Sequence, residues 1–145
     1  MSPADARELL GFHSGRDERT ADPRWEKGFL GMLRPYRGLV ERNFHEVMAT
    51  LAVLSAELRE DKVSRDVIND LWAICHLGRT WGVHAEGMLR RNQLITDDDV
   101  ARLEEWIGTI SYAVMLLLEG VPATDRRELA YSPPPEWEPL WPSAD

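Results

Sequence analysis

Cysteine is almost absent from this chain of 145 residues, in which Cys75 stands alone. No disulfide can form within the chain, and a chain of this length can bury enough apolar surface to fold without a disulfide or a structural metal. Because disulfides persist in oxidising compartments, a single cysteine favours a reducing one. The first residues also lack the basic start and apolar run of a secretory signal. We therefore expect a cytoplasmic protein.

Long apolar runs, lysine and net positive charge are also scarce. The longest strongly apolar stretch, residues 110–118, is less than half of a membrane span, so no membrane association is expected. Lysine occurs only at Lys27 and Lys62, a bias that suggests GC-rich coding and a bacterial source. The 25 acidic residues outnumber 17 basic ones and give a net charge of −8. That field repels nucleic acid and favours a basic protein partner.

The alternation of apolar and polar residues that marks a half-buried strand is missing outside the C-terminal tail. Apolar residues instead recur at intervals of three and four, which is the spacing of bundle helices. The sequence predicts an all-α fold: an antiparallel bundle over residues 1–120, with short N-terminal helices and three long ones. The long helices are expected at about residues 35–60, 64–81 and 97–118.

Capping residues set the expected helix boundaries. Ser2 followed by Pro3 predicts a short first helix to about Leu10, and a polar loop over residues 11–22 follows. Asp22 before Pro23 predicts a second segment reaching Leu33. Gly82 should interrupt the middle long helix before a short one over residues 84–92. Thr96 followed by three aspartates is the strongest helix start in the chain.

The heptad-like spacing also predicts the core. Leu51 and Leu54 should be buried with Leu71, Ile107 and Val114, because these positions share the stripes that close a bundle. Six tryptophans are more than a chain of this length usually carries. Three of them are expected in the core: Trp72, Trp81 and Trp106.

Residues 121–145 form a tail of different composition, with six of the nine prolines and two of the six tryptophans. It should be extended. Trp137 and Trp141 have no local element to pack in, while the last long helix is apolar around most of its circumference. We therefore expect the tail to fold back, or a second copy of the chain to cover that helix. The predicted protein-binding residues are Tyr112, Met115, Leu116, Trp137 and Trp141.

No pattern of residues indicates catalysis, a metal or a cofactor. Glu41 and His45 share a helix face, but they match neither a di-iron motif nor a zincin motif. Isolated histidines of this kind are expected to be solvated or to cap helices. Cys75 and His76 are neighbours on a helix and point about 100° apart, so they cannot form a dyad. Apolar surroundings should raise the pKa of Cys75.

These observations favour a non-enzymatic protein-binding module of the adaptor, inhibitor or toxin-neutralising type. The main alternative is a helical bundle that binds a metal or small molecule through His45, Glu41 and His76, with His84 as a further candidate. A structural subunit of a larger assembly is the third interpretation. Convergence of the histidines within coordination distance would favour the metal site.

Overall fold

A computed structural model describes residues 1–142 and confirms that the fold is all-α. Within that range, β structure is limited to one isolated bridge between Leu33 and Tyr36. Residues 143–145, the end of the predicted tail, lie outside the described part. The α-helices are α1 (Pro3–His13), α2 (Pro23–Lys27), α3 (Phe29–Leu33), α4 (Glu41–Val53), α5 (Ser55–Leu58), α6 (Arg65–Gly78), α7 (Met88–Arg91), α8 (Asp97–Leu118) and α9 (Arg126–Leu129). A π-helical turn spans Arg79–Val83, and a 3-10 turn spans Pro135–Leu140.

Helix α1 begins at the predicted cap and ends later than predicted. The Asp5 N–H donates to the Ser2 hydroxyl at 3.1 Å, and the Ser2 N–H donates to the Asp5 carboxylate at 3.0 Å. This capping box satisfies the unpaired amides of the first turn. Gly11 does not end the helix but lies inside it, where an added Cβ would come within 3.1 Å of the Arg16 guanidinium. Gly11 therefore allows the Arg16 side chain to approach α1 closely, and the helix continues to His13.

The long helix predicted over residues 35–60 is shorter and broken. Gly38 has a φ of +108°, in the left-handed region that excludes α-helix, so α4 begins only at Glu41. It stops at Val53, and the single turn of α5 follows. The predicted apolar stripe still faces the core, since Val47, Leu51 and Leu54 are buried.

The helix predicted in the middle of the chain begins at its predicted cap and ends earlier than predicted. The Val67 N–H donates to the Ser64 hydroxyl at 3.4 Å, which caps α6 as predicted. The α-helix ends at Gly78 and passes into the π-helical turn. The short helix expected over residues 84–92 is reduced to the four residues of α7.

Helix α8 is the one long helix with its predicted boundaries. The Asp99 N–H donates to the Thr96 hydroxyl at 3.2 Å. At the other end Gly120 adopts a φ of +100°, and the Val121 N–H donates to the Leu116 carbonyl at 3.0 Å. This left-handed cap reverses the chain direction after α8.

Most of the predicted core is confirmed. Leu51, Leu54, Leu71 and Ile107 are buried, and Val114 is half-buried. Trp106 is buried and Trp81 is half-buried, whereas the prediction for Trp72 is wrong. It lies 69% exposed, because it occupies the outer side of α6 while Leu71 and Ile74 occupy the inner side.

A buried charge that the sequence did not reveal fixes the N-terminal loop. Asp70 on α6 is fully buried, and it accepts hydrogen bonds from Arg16 Nε and Nη2 at 2.7 and 3.1 Å and from the Ser14 hydroxyl at 2.9 Å. A two-point guanidinium contact supplies the partners that a buried carboxylate requires. The loop after α1 is thereby anchored to α6.

No helix within residues 1–142 is both long and apolar enough to cross a membrane.

Candidate functional site

A mostly apolar recess lies between α6 and α8, and we call it the α6–α8 groove. Its volume is about 500 Å³. Apolar side chains line most of it, and polar groups lie toward its ends. The lining residues are Ile68, Leu71, Trp72, Cys75, His76, Arg79, His84, Ser111, Val114, Met115, Leu118 and Glu119.

The two helices that form the groove run in opposite directions. Gly78 lies opposite Ile107, and Gly82 lies opposite Leu103. An added Cβ at either position would overlap the facing side chain, so both glycines allow a close approach of the two helices. Farther along, Arg79 Nη2 donates to the Ser111 hydroxyl at 3.2 Å. The two helices are therefore antiparallel. The start of α6, with Ile68, lies beside the end of α8, with Glu119.

Large apolar side chains at the groove are open to solvent. Trp72 is 69% exposed, Leu118 is 48% exposed and Met115 is 46% exposed. Single exposed apolar residues are common on folded proteins, but several around one recess are typical of binding sites. The Trp72 ring is held by the ring of His76, one turn along α6, with centroids 6.1 Å apart and planes at 12°. The indole therefore projects from α6 at the edge of the groove.

Charged groups mark the two ends of the groove differently. His76, Arg79 and His84 lie at the end where α6 meets the π-helical turn. Glu119 lies at the other end, just after α8. The groove therefore has an apolar centre, one end that carries a guanidinium and two imidazoles, and one end that carries a carboxylate.

Cys75 lies in the wall of the groove and is 8% exposed. Burial raises the pKa of its thiol to about 11, although the nearby Arg79 acts in the opposite direction. Only a very small fraction of the thiol is then ionised near neutral pH, and the thiolate is the reactive form. The predicted rise in pKa is confirmed, and the thiol forms part of the apolar wall of the groove.

The described part of the tail, residues 121–142, does not pack on the predicted surface. Tyr112 and Met115 are 43% and 46% exposed, whereas Leu116 is buried. Trp137 stacks on His45 of α4 with centroids 5.4 Å apart, and Trp141 lies 5.4 Å from the Tyr131 ring. The expected packing of both tryptophans against Tyr112, Met115 and Leu116 is therefore wrong.

Hydrogen bonds at the start of the tail explain its path. Arg59 Nε donates to the Gly120 carbonyl at 3.1 Å, and the Ala123 N–H donates to the Ser55 hydroxyl at 3.1 Å. Both partners lie in or just after α5, so the chain crosses α5 and reaches α4 instead of returning along the outer side of α8. The tail is also not extended throughout, because it contains α9 and a 3-10 turn.

We call the surface under the tail the tail-covered face; it comprises Phe44 and His45 of α4 and Trp106 of α8. Phe44 stacks on Trp106 with centroids 5.5 Å apart and planes at 2°, and Tyr131 meets Phe44 edge-on at 5.7 Å. The Tyr131 hydroxyl lies 2.8 Å from His45 Nδ1. Burial raises the pKa of Tyr131 above its usual range, so the hydroxyl keeps its proton. The tail thus supplies both an aromatic cover and a hydrogen-bond partner.

Two of the four histidines are buried, contrary to the expectation that they are solvated, although one of them accepts the first N–H of α3. His13 Nδ1 accepts the Phe29 N–H at 3.0 Å, which leaves the ring proton on Nε2 to donate to Glu46 at 2.9 Å. His45 is 5% exposed and sits between Tyr131 and Glu41. Both rings are held by neighbours on other elements, which sequence spacing alone cannot reveal.

The set proposed for metal binding does not converge. His45 Nε2 lies 3.4 Å from Glu41, but His76 stacks on Trp72 in the α6–α8 groove. Across residues 1–142, no three His, Cys, Asp or Glu side chains are placed to hold a metal ion. The geometry gives no support to a metal site built from His45, Glu41 and His76.

The groove was only partly foreseeable. Met115 was among the predicted binding residues, and Tyr112 lies beside the groove on the exposed side of α8. Trp72 was assigned to the core instead. The available signal was the width of the apolar surface on α6, where Ile68, Trp72 and Cys75 extend it well beyond a single stripe.

Comparison of the chain with protein-family models, with curated proteins and with solved structures gives no match.

Proposed function

We propose that this chain is a non-enzymatic protein-binding module, of the adaptor, inhibitor or toxin-neutralising kind, and that the α6–α8 groove is its binding surface. One observation carries the proposal: a 69% exposed tryptophan stands at the edge of an apolar recess of about 500 Å³. Tryptophan is among the residues most enriched at binding hot spots, where it is worth most when it is desolvated.

The shape and chemistry of the groove fit an amphipathic helix of a partner. Two antiparallel helices leave a furrow between them, and a third helix can lay its apolar side chains there at intervals of three and four residues. The proposal keeps the predicted architecture, an antiparallel bundle of three long helices, as the frame of this furrow. The net charge of −8 would speed the approach of a basic partner. A cytoplasmic location agrees with the single, buried cysteine.

Site-specific photo-crosslinking tests the proposal. Tyr112 is 43% exposed beside the groove and can be replaced by benzoylphenylalanine, and Leu94, which is 55% exposed and does not line the groove, provides the matched control. In extracts of the source cells we expect an adduct with another polypeptide from position 112 and none from position 94. Met115→Asp should abolish the adduct while the helical circular dichroism spectrum is kept. No adduct from position 112, or equal adducts from both positions, would contradict the proposal.

A small apolar molecule is the second candidate occupant, and the groove volume favours it. Pockets for such ligands usually measure about 300–1,000 Å³, and the groove has about 500 Å³. A ligand bound there would lie against Trp72 and change its fluorescence. Titration with an apolar dye, compared between the native chain and Met115→Asp, distinguishes this candidate from a protein partner.

A further inference from the structure

We propose that the α6–α8 groove is closed by a second copy of the chain, in a two-fold homodimer in which Trp72 of each copy enters the groove of the other. The inference rests on the proposed function, because it takes the groove as a protein-binding surface. It adds a regulation of that surface: a foreign partner must displace the second copy before it can bind.

A projection and a recess lie side by side on this face. Trp72 projects at the edge of the groove, and Met115 and Leu118 form the opposite side of the recess. In a two-fold dimer the same patch of both copies is in contact, so each patch must carry both complementary features. A face that carries its own projection beside its own recess meets this requirement. Over residues 121–142 the tail does not cover this face, since Trp137 and Trp141 lie against His45 and Tyr131.

The charges at the ends of the groove select one of two possible arrangements. If the two-fold axis runs along the groove, each end meets the same end of the other copy, and Arg79 faces Arg79. If the axis runs across the groove, the Glu119 end of one copy meets the Arg79 end of the other, twice. Opposite charges that face each other across an interface attract, whereas like charges oppose association. The geometry therefore points to the antiparallel dimer, with Met115 near its centre.

The size of the patch predicts a weak dimer. The 14 residues of α6 extend about 21 Å at a rise of about 1.5 Å per residue, and two adjacent helices span about 20 Å across. Such a footprint belongs to the small end of specific interfaces, where complexes dissociate readily. Repulsion between two chains of charge −8 weakens the dimer further. We expect monomer and dimer to exchange in the micromolar range.

Sedimentation velocity over a concentration series provides the first test. The native chain should shift from monomer to dimer as its concentration rises to about 100 µM, well above the range expected for a small interface. Trp72→Ala should weaken the dimer at least tenfold, because the side chain that enters the partner is lost. Leu94→Ala, an exposed apolar control outside the groove, should leave it unchanged. A native chain that stays monomeric, or a dimer that survives Trp72→Ala, overturns the inference.

A charge-exchange experiment tests the arrangement itself. Glu119→Arg alone places Arg opposite Arg at both ends of the dimer, and Arg79→Glu alone places Glu opposite Glu. Each variant should be monomeric, with a native circular dichroism spectrum. Mixed together, they should form a heterodimer, because both contacts then join Arg to Glu. Single variants that still dimerise, or a mixture that stays monomeric, would overturn the antiparallel dimer.

These outcomes separate the dimer from the proposed function. A monomeric chain that still gives a Met115-dependent adduct with a different polypeptide refutes the dimer and leaves the protein-binding module standing. A dimer that gives no adduct with a different polypeptide refutes the protein-binding module and leaves the dimer standing.

Discussion

The bundle has two apolar faces, and within residues 1–142 the chain covers one of them and leaves the other open. On the tail-covered face, Tyr131 and Trp137 lie over Phe44 and His45. On the α6–α8 groove, Trp72, Met115 and Leu118 stay about half exposed or more. Both faces contain aromatic and aliphatic side chains, so apolar character alone does not decide which of them receives the tail.

The difference between the faces lies in polar contacts. The tail-covered face offers a buried imidazole to the Tyr131 hydroxyl, and α5 offers Ser55 to the tail main chain. The groove is lined mostly by apolar side chains. Hydrogen bonds thus direct the tail, while apolar contacts supply the burial that holds it there. The open face is left available for intermolecular contact, which is the basis of both proposals.

Replacing one aromatic residue on each face should give the largest contrast. Tyr131 is 8% exposed, so Tyr131→Ala should cost about 3–5 kcal/mol of unfolding free energy through a lost contact and an unpaired His45. Trp72 is 69% exposed, so Trp72→Ala should change the unfolding free energy by about 0.5 kcal/mol or less. Urea unfolding at a concentration where the chain is monomeric measures both. Equal losses would show that the two faces do not differ as described.

A smaller effect concerns the placement of α4, the helix on which the tail lies. Burial acts to raise the pKa of Glu46, but the hydrogen bond from His13 and the charge of Arg42 outweigh it and lower the pKa below its usual value of 4.5. A carboxyl whose pKa is lowered by folding stabilises the fold above its unfolded pKa. That contribution is lost as the pH falls through the folded value.

Glu46→Gln should therefore destabilise the chain at pH 7, and the difference should shrink as the pH is lowered toward 3 and Glu46 of the native chain takes up its proton. Thermal unfolding of both proteins across this range measures the convergence. Glu104→Gln on the exposed side of α8 is the control, and it should track the native chain throughout. A constant gap between Glu46→Gln and the native chain at all pH values would contradict the role of the charge.

The capping signals at helix starts were reliable in this chain, whereas helix ends and long-range contacts were predicted less well. The caps at Ser2, Ser64 and Thr96 start helices as predicted, because each depends on main-chain groups within three residues. The spacing of Leu51, Leu54, Leu71 and Ile107 likewise identified buried positions. Periodicity shows which residues share a side of one helix, and this information is sufficient to identify core positions.

The path of the tail and the exposure of Trp72 depended on contacts between distant residues. The tail is directed by Arg59 and Ser55, more than 60 residues upstream of their partners. Trp72 lies on a helix whose apolar surface is wider than its neighbours can cover, and sequence alone does not show where those neighbours end. The same limit applies to Asp70, which is buried only because Arg16 and Ser14 reach it from a loop 54 and 56 residues away.

The smallest expected effects concern the start of α8, the helix that contributes to both faces. Thr96→Ala removes the acceptor of the Asp99 N–H and should cost about 1 kcal/mol. Asp98→Asn keeps the cap and removes only a charge near the positive end of the helix, so it should cost about 0.3–1 kcal/mol at low salt. Because salt screens that interaction, the loss for Asp98→Asn should shrink as ionic strength rises, while the loss for Thr96→Ala should persist.

Asp99 would not serve in place of Asp98, since the Tyr36 hydroxyl donates to its carboxylate at 2.7 Å and a substitution there would also disturb that hydrogen bond. Urea unfolding at low and high salt measures both changes. Since α8 contributes to both faces, either change should lower the stability of the whole bundle and leave the groove chemistry intact. If Asp98→Asn instead weakens self-association or crosslinking from position 112 with no loss of stability, the aspartates act at a binding surface, and the boundary of the open face must be extended to the start of α8.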